Sequence, residues 1–510
     1  MEHLFSSFSA LLPFLLFMLM ILKIATGKRT KTTNSSTPKL PPGPWKLPVI
    51  GNLHQLIGYL PHHRLRDLAN KYGPLMHLQL GEVPLVVISS PETAKEIMKT
   101  HDVNFAQRPF LLIANKYHSK DIVFSLYGDY WRMLRKICNE ELLSPKRVQS
   151  FRSIREEEVS NLIGYLRSKK GSPINLSERL FSMTYVITAR AAFGKKCKDQ
   201  EAFISTVNEV LKIAAGFSAS EVFPSQKWLL WISGLGPKLE KCVQRVDQTL
   251  DNIIDQHNAD RAATSKAEKG NADCLLDVLM NLQDKDELSF PLETENIKAV
   301  ILDVFIGGSE TSSTVVEWAM LEMLKNPRVM EKAQAEVRQA FGRHGNVDEA
   351  GLHELKFLKL VIKETLRLHP PGPFLIPRES KESCVINGYY IPAKTKVIVN
   401  GWAIGRDPRY WAEAEKFYPE RFTNSSVDFR GTSFEYIPFG GGRRICPGIS
   451  FAIADIELPI AQLLFHFDWK LPSGINHKTL DMTESFGMTV RRKIDLYLIP
   501  VPWNSATISF

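Results

Sequence analysis

Hydrophobic positions along this 510-residue chain change character several times. Leu4 to Leu22 is nearly continuous apolar sequence without a charged side chain, close to the minimum length that spans a bilayer as a helix. Val49 to Ser90 carries short apolar runs, such as Leu85-Val-Val-Ile88, broken by Gly-Pro, and predicts a small sheet. From Pro91 to about Asn326 apolar residues recur at helical spacing. Within that stretch, Asn258 to Asp273 is polar and Ala/Gly-rich and predicts an exposed loop. Glu293 to Lys325 is apolar on most sides and free of proline, so it predicts one helix of roughly 50 Å, stopped at Pro327. Glu354 to His369 is amphipathic. After Pro370 the pattern is irregular, with strand-like pieces such as Thr395-Lys-Val-Ile-Val399, until a last apolar helix from Phe451 to Phe467. The fold class read from this pattern is mainly α with a small β region.

Charge placement gives the first apolar run a direction. Lys23, Lys28, Arg29 and Lys31 follow it, and only Glu2 and His3 precede it, which puts the following chain in the cytosol. A cleaved signal peptide is the weaker reading, since no basic residue precedes the run and no small-x-small site follows it. Pro13 is tolerable inside a membrane helix. Residues 1–27 are therefore read as a membrane anchor and 28–45 as a basic linker and proline-rich hinge; for 46–510 length alone suggests two or three domains, and only the family resemblance of its motifs makes it one body. The run Pro38-Lys-Leu-Pro-Pro-Gly-Pro-Trp45 is stiff and extended. The six cysteines form no C-x-x-C pair, which speaks against a disulfide framework or zinc site and fits a reducing compartment. No compact basic-aromatic patch suggests nucleic acid. The net charge of +9 suits an acidic protein partner and an anionic membrane face.

The chemistry concentrates at Phe439-Gly-Gly-Gly-Arg-Arg-Ile-Cys-Pro-Gly448. A thiolate is a soft, strong ligand for iron, and nearby positive charge and backbone N–H groups keep it ionised. Glycines let the backbone approach a large flat ligand, and Arg443 and Arg444 can offset anionic groups on it. A lone thiolate on haem iron favours O–O cleavage. The positions Phe439, Gly442, Arg444, Cys446 and Gly448 resemble the haem-thiolate signature of the cytochrome P-450 superfamily. That resemblance extends from about residue 38 to the C-terminus. It implies a single large cytochrome P-450 fold (α+β) preceded by one transmembrane helix, with haem b as cofactor and Cys446 as the axial iron ligand.

Other motifs follow in the order the resemblance implies. The long helix contains Gly307-Gly-Ser-Glu-Thr-Ser312. Two glycines in a helix interior cost about 1 kcal/mol each relative to alanine, so the pair either makes room for a ligand or forms a helix-packing notch. Thr311 and Glu310 resemble the acid-alcohol pair of the monooxygenase members, with Thr311 as hydrogen-bond donor to dioxygen and Glu310 as proton relay. The alternative is a threonine bonded to its own backbone. Glu364 and Arg367, at i and i+3 on one helix face, resemble the family's Glu-x-x-Arg motif, and Arg421 in Pro419-Glu-Arg-Phe422 resembles its third, structural member. Trp131 and Arg135, at i and i+4, resemble the helix that holds a haem propionate; Arg378 and Arg444 are placed by motif order as further propionate contacts. Ordinary surface arginines are the alternative.

By family position the substrate pocket takes Phe305, Ile306, Gly307, Phe374, Leu375 and Phe486, mostly apolar residues that suit a hydrophobic small molecule. Each of them singly is also compatible with plain core packing. No dinucleotide-binding or P-loop motif stands in a strand-turn-helix context, so electrons are expected from a separate NADPH-cytochrome P-450 reductase, and O2 is the second substrate. Pro41-Pro-Gly-Pro44, Phe105-Ala-Gln-Arg-Pro109, Lys363-Glu-Thr-Leu-Arg-Leu-His-Pro-Pro371 and Tyr436-Ile-Pro-Phe-Gly440 resemble the plant microsomal (A-type) group that oxidises specialised metabolites. Asp121 to Leu143 and Glu484-Ser-Phe-Gly-Met488 resemble its terpenoid-oxidising members, with a casbene-type diterpene oxidase as the finest expectation. This implies a single-pass protein of the endoplasmic reticulum membrane with a cytosolic catalytic body. A monooxygenase of a phenolic or alkaloid, an oxygen-independent enzyme rearranging hydroperoxides, and a haem carrier without turnover are the rival readings.

Overall fold

The computed structural model describes residues 39–109, 111, 120–194, 200–213, 218–263, 274–285, 288–343 and 345–503. The expected anchor (1–27) and most of the basic linker lie outside the described residues. Helices dominate. The first, α1 (Pro61–Tyr72), precedes the hairpin β1 (Leu75–Leu80) and β2 (Val83–Ile88). Then come α2 (Asp129–Ile137) and α3 (Leu176–Phe193), the long core helix α4 (Thr294–Lys325), and α5 (Lys356–Leu368). Short strands β3 (Arg378–Glu379) and β4 (Lys396–Val399) follow, and α6 (Ile449–His466) closes the helical core. The main sheet runs β1-β2-β4-β3, with β2 and β4 parallel and the other pairs antiparallel.

Segment 39–45 is fastened to that sheet. His77 N–H donates to Pro42 O at 2.8 Å, and Asn52 Nδ2 donates to the carbonyls of Pro44 and Trp45. A side chain at Gly43 would sit 2.0 Å from His77 O, so glycine is required for the close approach.

The core helix α4 starts within one residue of its expected start and ends at Lys325, with Pro327 opening the next helix. Its N-terminus is capped reciprocally by Glu293 and Asn296, which satisfies orphan N–H groups. It is buried over most of its length between α3 and α6. Gly308 explains how three helices come so close: a Cβ there would lie 3.2 Å from Phe451 on α6 and 3.2 Å from Thr188 on α3. Both α4 and α6 are long and apolar enough to cross a membrane, yet both lie mostly inside the protein. Two expectations fail in part. The stretch Val49 to Ser90, expected as a small sheet, also holds the helix α1 (Pro61–Tyr72). Asn258 to Ala263 is helical, the end of a 29-residue helix Leu235–Ala263; Val246, Leu250 and Ile254 bury one stripe of it, and that packing carries the helix into polar sequence.

Candidate functional site: a cysteine loop facing the core helix

The loop 439–448 is shaped by contacts that leave no freedom. Gly440 and Gly442 adopt φ of 75° and 68°, which L side chains avoid. A Cβ on Gly442 would also lie 2.0 Å from Met98 O. Arg443 N–H donates to Asp102 Oδ2 at 2.9 Å, Arg378 Nη2 donates to Gly441 O at 2.8 Å, and Cys446 N–H donates to Phe439 O at 3.0 Å. The Phe439 ring packs edge-on against Phe429. The half-buried thiol of Cys446 is pushed up by burial, opposed by the Gly448 N–H and the charge of Arg135. A Cβ at Gly448 would reach 3.9 Å from Sγ, so glycine keeps that side of the sulfur clear.

Around the loop gathers an excess of buried positive charge. Arg444 is held by the carbonyls of Ala106, Ile122 and Ser125 and lies 4.2 Å over the Trp131 ring. Burial, then the neighbouring Arg378, lowers its pKa to about 9. Arg378 pairs with Asp102. Arg108, expected at the start of a pocket segment running to about Phe124 and not as part of the arginine group, donates to Val123, Ile376 and Pro377 carbonyls, and burial and then Arg444 and Arg378 lower its pKa. Its motif, Phe-Ala-Gln-Arg-Pro, was the available signal. Half-buried Arg135 forms no hydrogen bond or ion pair among the described residues. Trp131 Nε1 donates to Ile122 O at 3.0 Å. Like charges crowded into a buried space are costly. Asp102 and Asp121 offset only part of this charge, so an anionic ligand would relieve the rest.

The helix α4 lies next to the loop's exit, where Gly308 packs on Phe451 three residues after Gly448. A Cβ at Gly307 would meet nothing within 4 Å, so the two glycines divide the work: Gly308 is the packing notch and Gly307 leaves open space. Thr311 Oγ1 donates to Gly307 O at 2.6 Å, the helix-internal bond weighed above. Glu310 projects elsewhere, buried and paired with Arg491 at 3.1 Å, and its charge reaches Tyr185. Asp303, one turn before Gly307, accepts from the N–H groups of Ile122 and Val123, which ties that loop to α4.

The expected pocket residues do not all gather. Ile306 lines a cavity with Phe124, Val207, Val210, Val246, Asp121 and Asp303. Phe305 is buried in a ring cluster with Tyr185, Phe193 and Phe203; two residues from Gly307 places it across the helix. Phe374 and Phe486 touch edge to face at 5.9 Å. Leu375 takes an unusual φ of 55°, with its side chain near Gly440 and Gly401.

Glu364, Arg367 and Arg421 do come together. Arg367 donates to both carboxylate oxygens of Glu364 at 2.7 and 2.8 Å, and Arg421 Nε donates to Oε1 at 2.9 Å. Arg367 also reaches the carbonyls of Gly405 and Ala414. Glu364 and Arg367 are fully buried, and together they fasten the segment before the cysteine loop to α5.

The comparisons decide the family. The cytochrome P450 family model matches residues 41–496. The chain belongs to the cytochrome P450 family. Among its relatives, premnaspirodiene oxygenase of Hyoscyamus muticus is 53% identical over 94% of this chain and 95% of its own length. Salviol synthase of Salvia pomifera is 53% identical over 94% and 95%, and tabersonine 16-hydroxylase 1 of Catharanthus roseus is 54% identical over 97% and 98%. A zebra fish cytochrome P450 structure with progesterone superposes with a TM-score of 0.74 at 25% identity, covering 87% of this chain and 100% of that one. This P450 is thus an O2-dependent monooxygenase that uses haem b and a redox-partner reductase and acts on a small molecule. The arginine surplus and the clear approach to Cys446 fit that cofactor.

Proposed function

We propose that this P450 is anchored in the endoplasmic reticulum membrane by its N-terminal apolar run, with a cytosolic body, and oxidises a C–H bond of a terpenoid hydrocarbon, in the finest reading a casbene-type diterpene. When bound, the haem supplies the one-electron chemistry that activates dioxygen. Cys446 would hold its iron. Arg135, with Trp131, Arg378, Arg444 and Arg108, would receive its carboxylates. Thr311 offers a hydroxyl beside the open space at Gly307, and Glu310, through half-exposed Arg491, connects that helix turn to water. Apolar Phe374, Phe486 and Ile306 bind and orient the substrate and exclude water.

The observation that carries the substrate class is the apolar wall at Phe374 and Phe486, in keeping with relatives named for terpenoid products. The membrane reading is supported by Trp228, Trp231 and Ile232, which stand exposed on one short helix. Next to it in sequence, Ser225 is hydrogen-bonded to Glu82 in the β1-β2 turn, part of the sheet to which segment 39–45 is fastened. A second reading, a basic alkaloid, is favoured by the carboxyls of Asp121 and Asp303 in the cavity wall and by the tabersonine hydroxylase relative. Expression in microsomes with a plant reductase, fed sesqui- and diterpene hydrocarbons beside tabersonine, separates the two. NADPH-dependent oxygenation of a terpene supports the first reading, and turnover of tabersonine alone removes it.

A further inference from the structure

Outside the haem site the described residues hold a polar cluster that none of the motifs explains. His62 and His63 at the start of α1 donate from Nε2 to the same oxygen of Glu484, at 2.7 and 2.8 Å. The other oxygen of Glu484 lies 4.0 Å from His369, whose Nε2 donates to Glu322 on α4 at 2.8 Å. His369 stacks flat on Trp318, rings 4.0 Å apart. His62 and Glu484 are buried, and Nδ1 of His62 and of His369 has no partner. The two histidines hold the Glu484 carboxyl well below its ordinary range despite its burial.

Glu484 sits two residues from Phe486, at the base of a hairpin. It pairs with Arg492 across the strands Glu484–Ser485 and Arg491–Arg492. The far arm is fixed separately: Val490 N–H donates to Pro371 O, and Trp318 Nε1 donates to Val490 O. Phe486 therefore stands on a tip whose near arm is held by Glu484. The same His62 ring that Glu484 grips lies against Phe486, nearly parallel at 6.0 Å, and edge-on to Phe374 at 6.3 Å.

We propose that Glu484 is a positioning residue for substrate specificity, fixing through His62 how far the Phe486 ring projects into the pocket. This rests on the reading of Phe374 and Phe486 as pocket walls. Glu484→Ala should free the near arm of the hairpin, whereas Glu484→Gln keeps one acceptor for His62. The test uses the membrane-bound holoenzyme with its reductase, and casbene and limonene as large and small probes. Binding is read from the substrate-induced spin shift, and regiochemistry from the product ratio.

Glu484→Ala is expected to keep the wild-type reduced carbon monoxide spectrum, weaken casbene binding about tenfold, leave limonene binding within about twofold, and spread the products. Glu484→Gln should recover most of the loss. Phe486→Leu should spread the products likewise, and the double variant should be no worse than either single one, because coupled sites are non-additive. Wild-type binding and product ratio in Glu484→Ala would overturn the proposal, as would equal losses for both probes or additive effects in the double variant. If Glu484→Ala retains no haem, His62→Leu, which removes the ring that links Glu484 to Phe486, and its cycle with Phe486→Leu decide by the same readouts. A wild-type enzyme that responds to tabersonine and to neither terpene overturns the terpenoid reading alone, and the cycle is then read with tabersonine.

Discussion

The two sides of the haem site are built by different physics. On the cysteine side, position is dictated by the backbone: glycines at positive φ, carbonyls accepting from buried arginines, and N–H groups on Asp102. On the α4 side, position is dictated by volume: an open surface at Gly307 and a notch at Gly308. Directional bonds tolerate few residue types, so the first side is rigid and tied to one cofactor. Apolar contact tolerates many shapes, so the second side can change substrate without losing the fold.

Four substitutions would break or sharpen that contrast. The largest effect belongs to Cys446→Ala, which should abolish the reduced carbon monoxide band that marks thiolate ligation; an unchanged band removes Cys446 from the iron. Gly442→Ala comes next. Its added methyl would collide with the backbone oxygen of Met98, and the expected outcome is protein that folds poorly and retains little haem, read as haem per polypeptide. Arg367→Ala leaves Glu364 buried with fewer partners and should cost about 3–5 kcal/mol, measurable as a loss in denaturant midpoint. Gly307→Ala should do the reverse on stability. With nothing in the way of its methyl, the helix gains up to about 1 kcal/mol, while the substrate spin shift weakens. A Gly307→Ala enzyme as unstable as Gly442→Ala would erase the distinction between the two sides.

How much of this was legible in the sequence follows the same division. Cys446, Gly442, Arg444 and the Glu364–Arg367–Arg421 lock stand in short motifs, because each acts through a bond that only one or two residue types can make. The core helix was legible because a 32-residue stretch that is apolar on most sides and lacks proline has few other ways to fold. The double glycine was read as a unit, yet its members face different neighbours. Phe305 was placed with the pocket residues, and the helix turn puts it in a ring cluster on the far side. Arg108 and Glu484 stand inside recognisable motifs, but their contacts were not legible there. Their partners lie far along the chain, Ile376 for one and His62 for the other, and spacing along the chain carries no trace of such meetings.

The sequence by itself determined the helical core, the glycine-rich loop around the Cys446 thiol and the closely spaced charges near it, since local bonds, helix periodicity and glycine conformation act over a few residues. Only the tertiary structure decided which glycine is a packing notch and which leaves open space, which rings touch, and which histidines share the Glu484 carboxylate. Those properties depend on the distance between elements, and packing sets that distance.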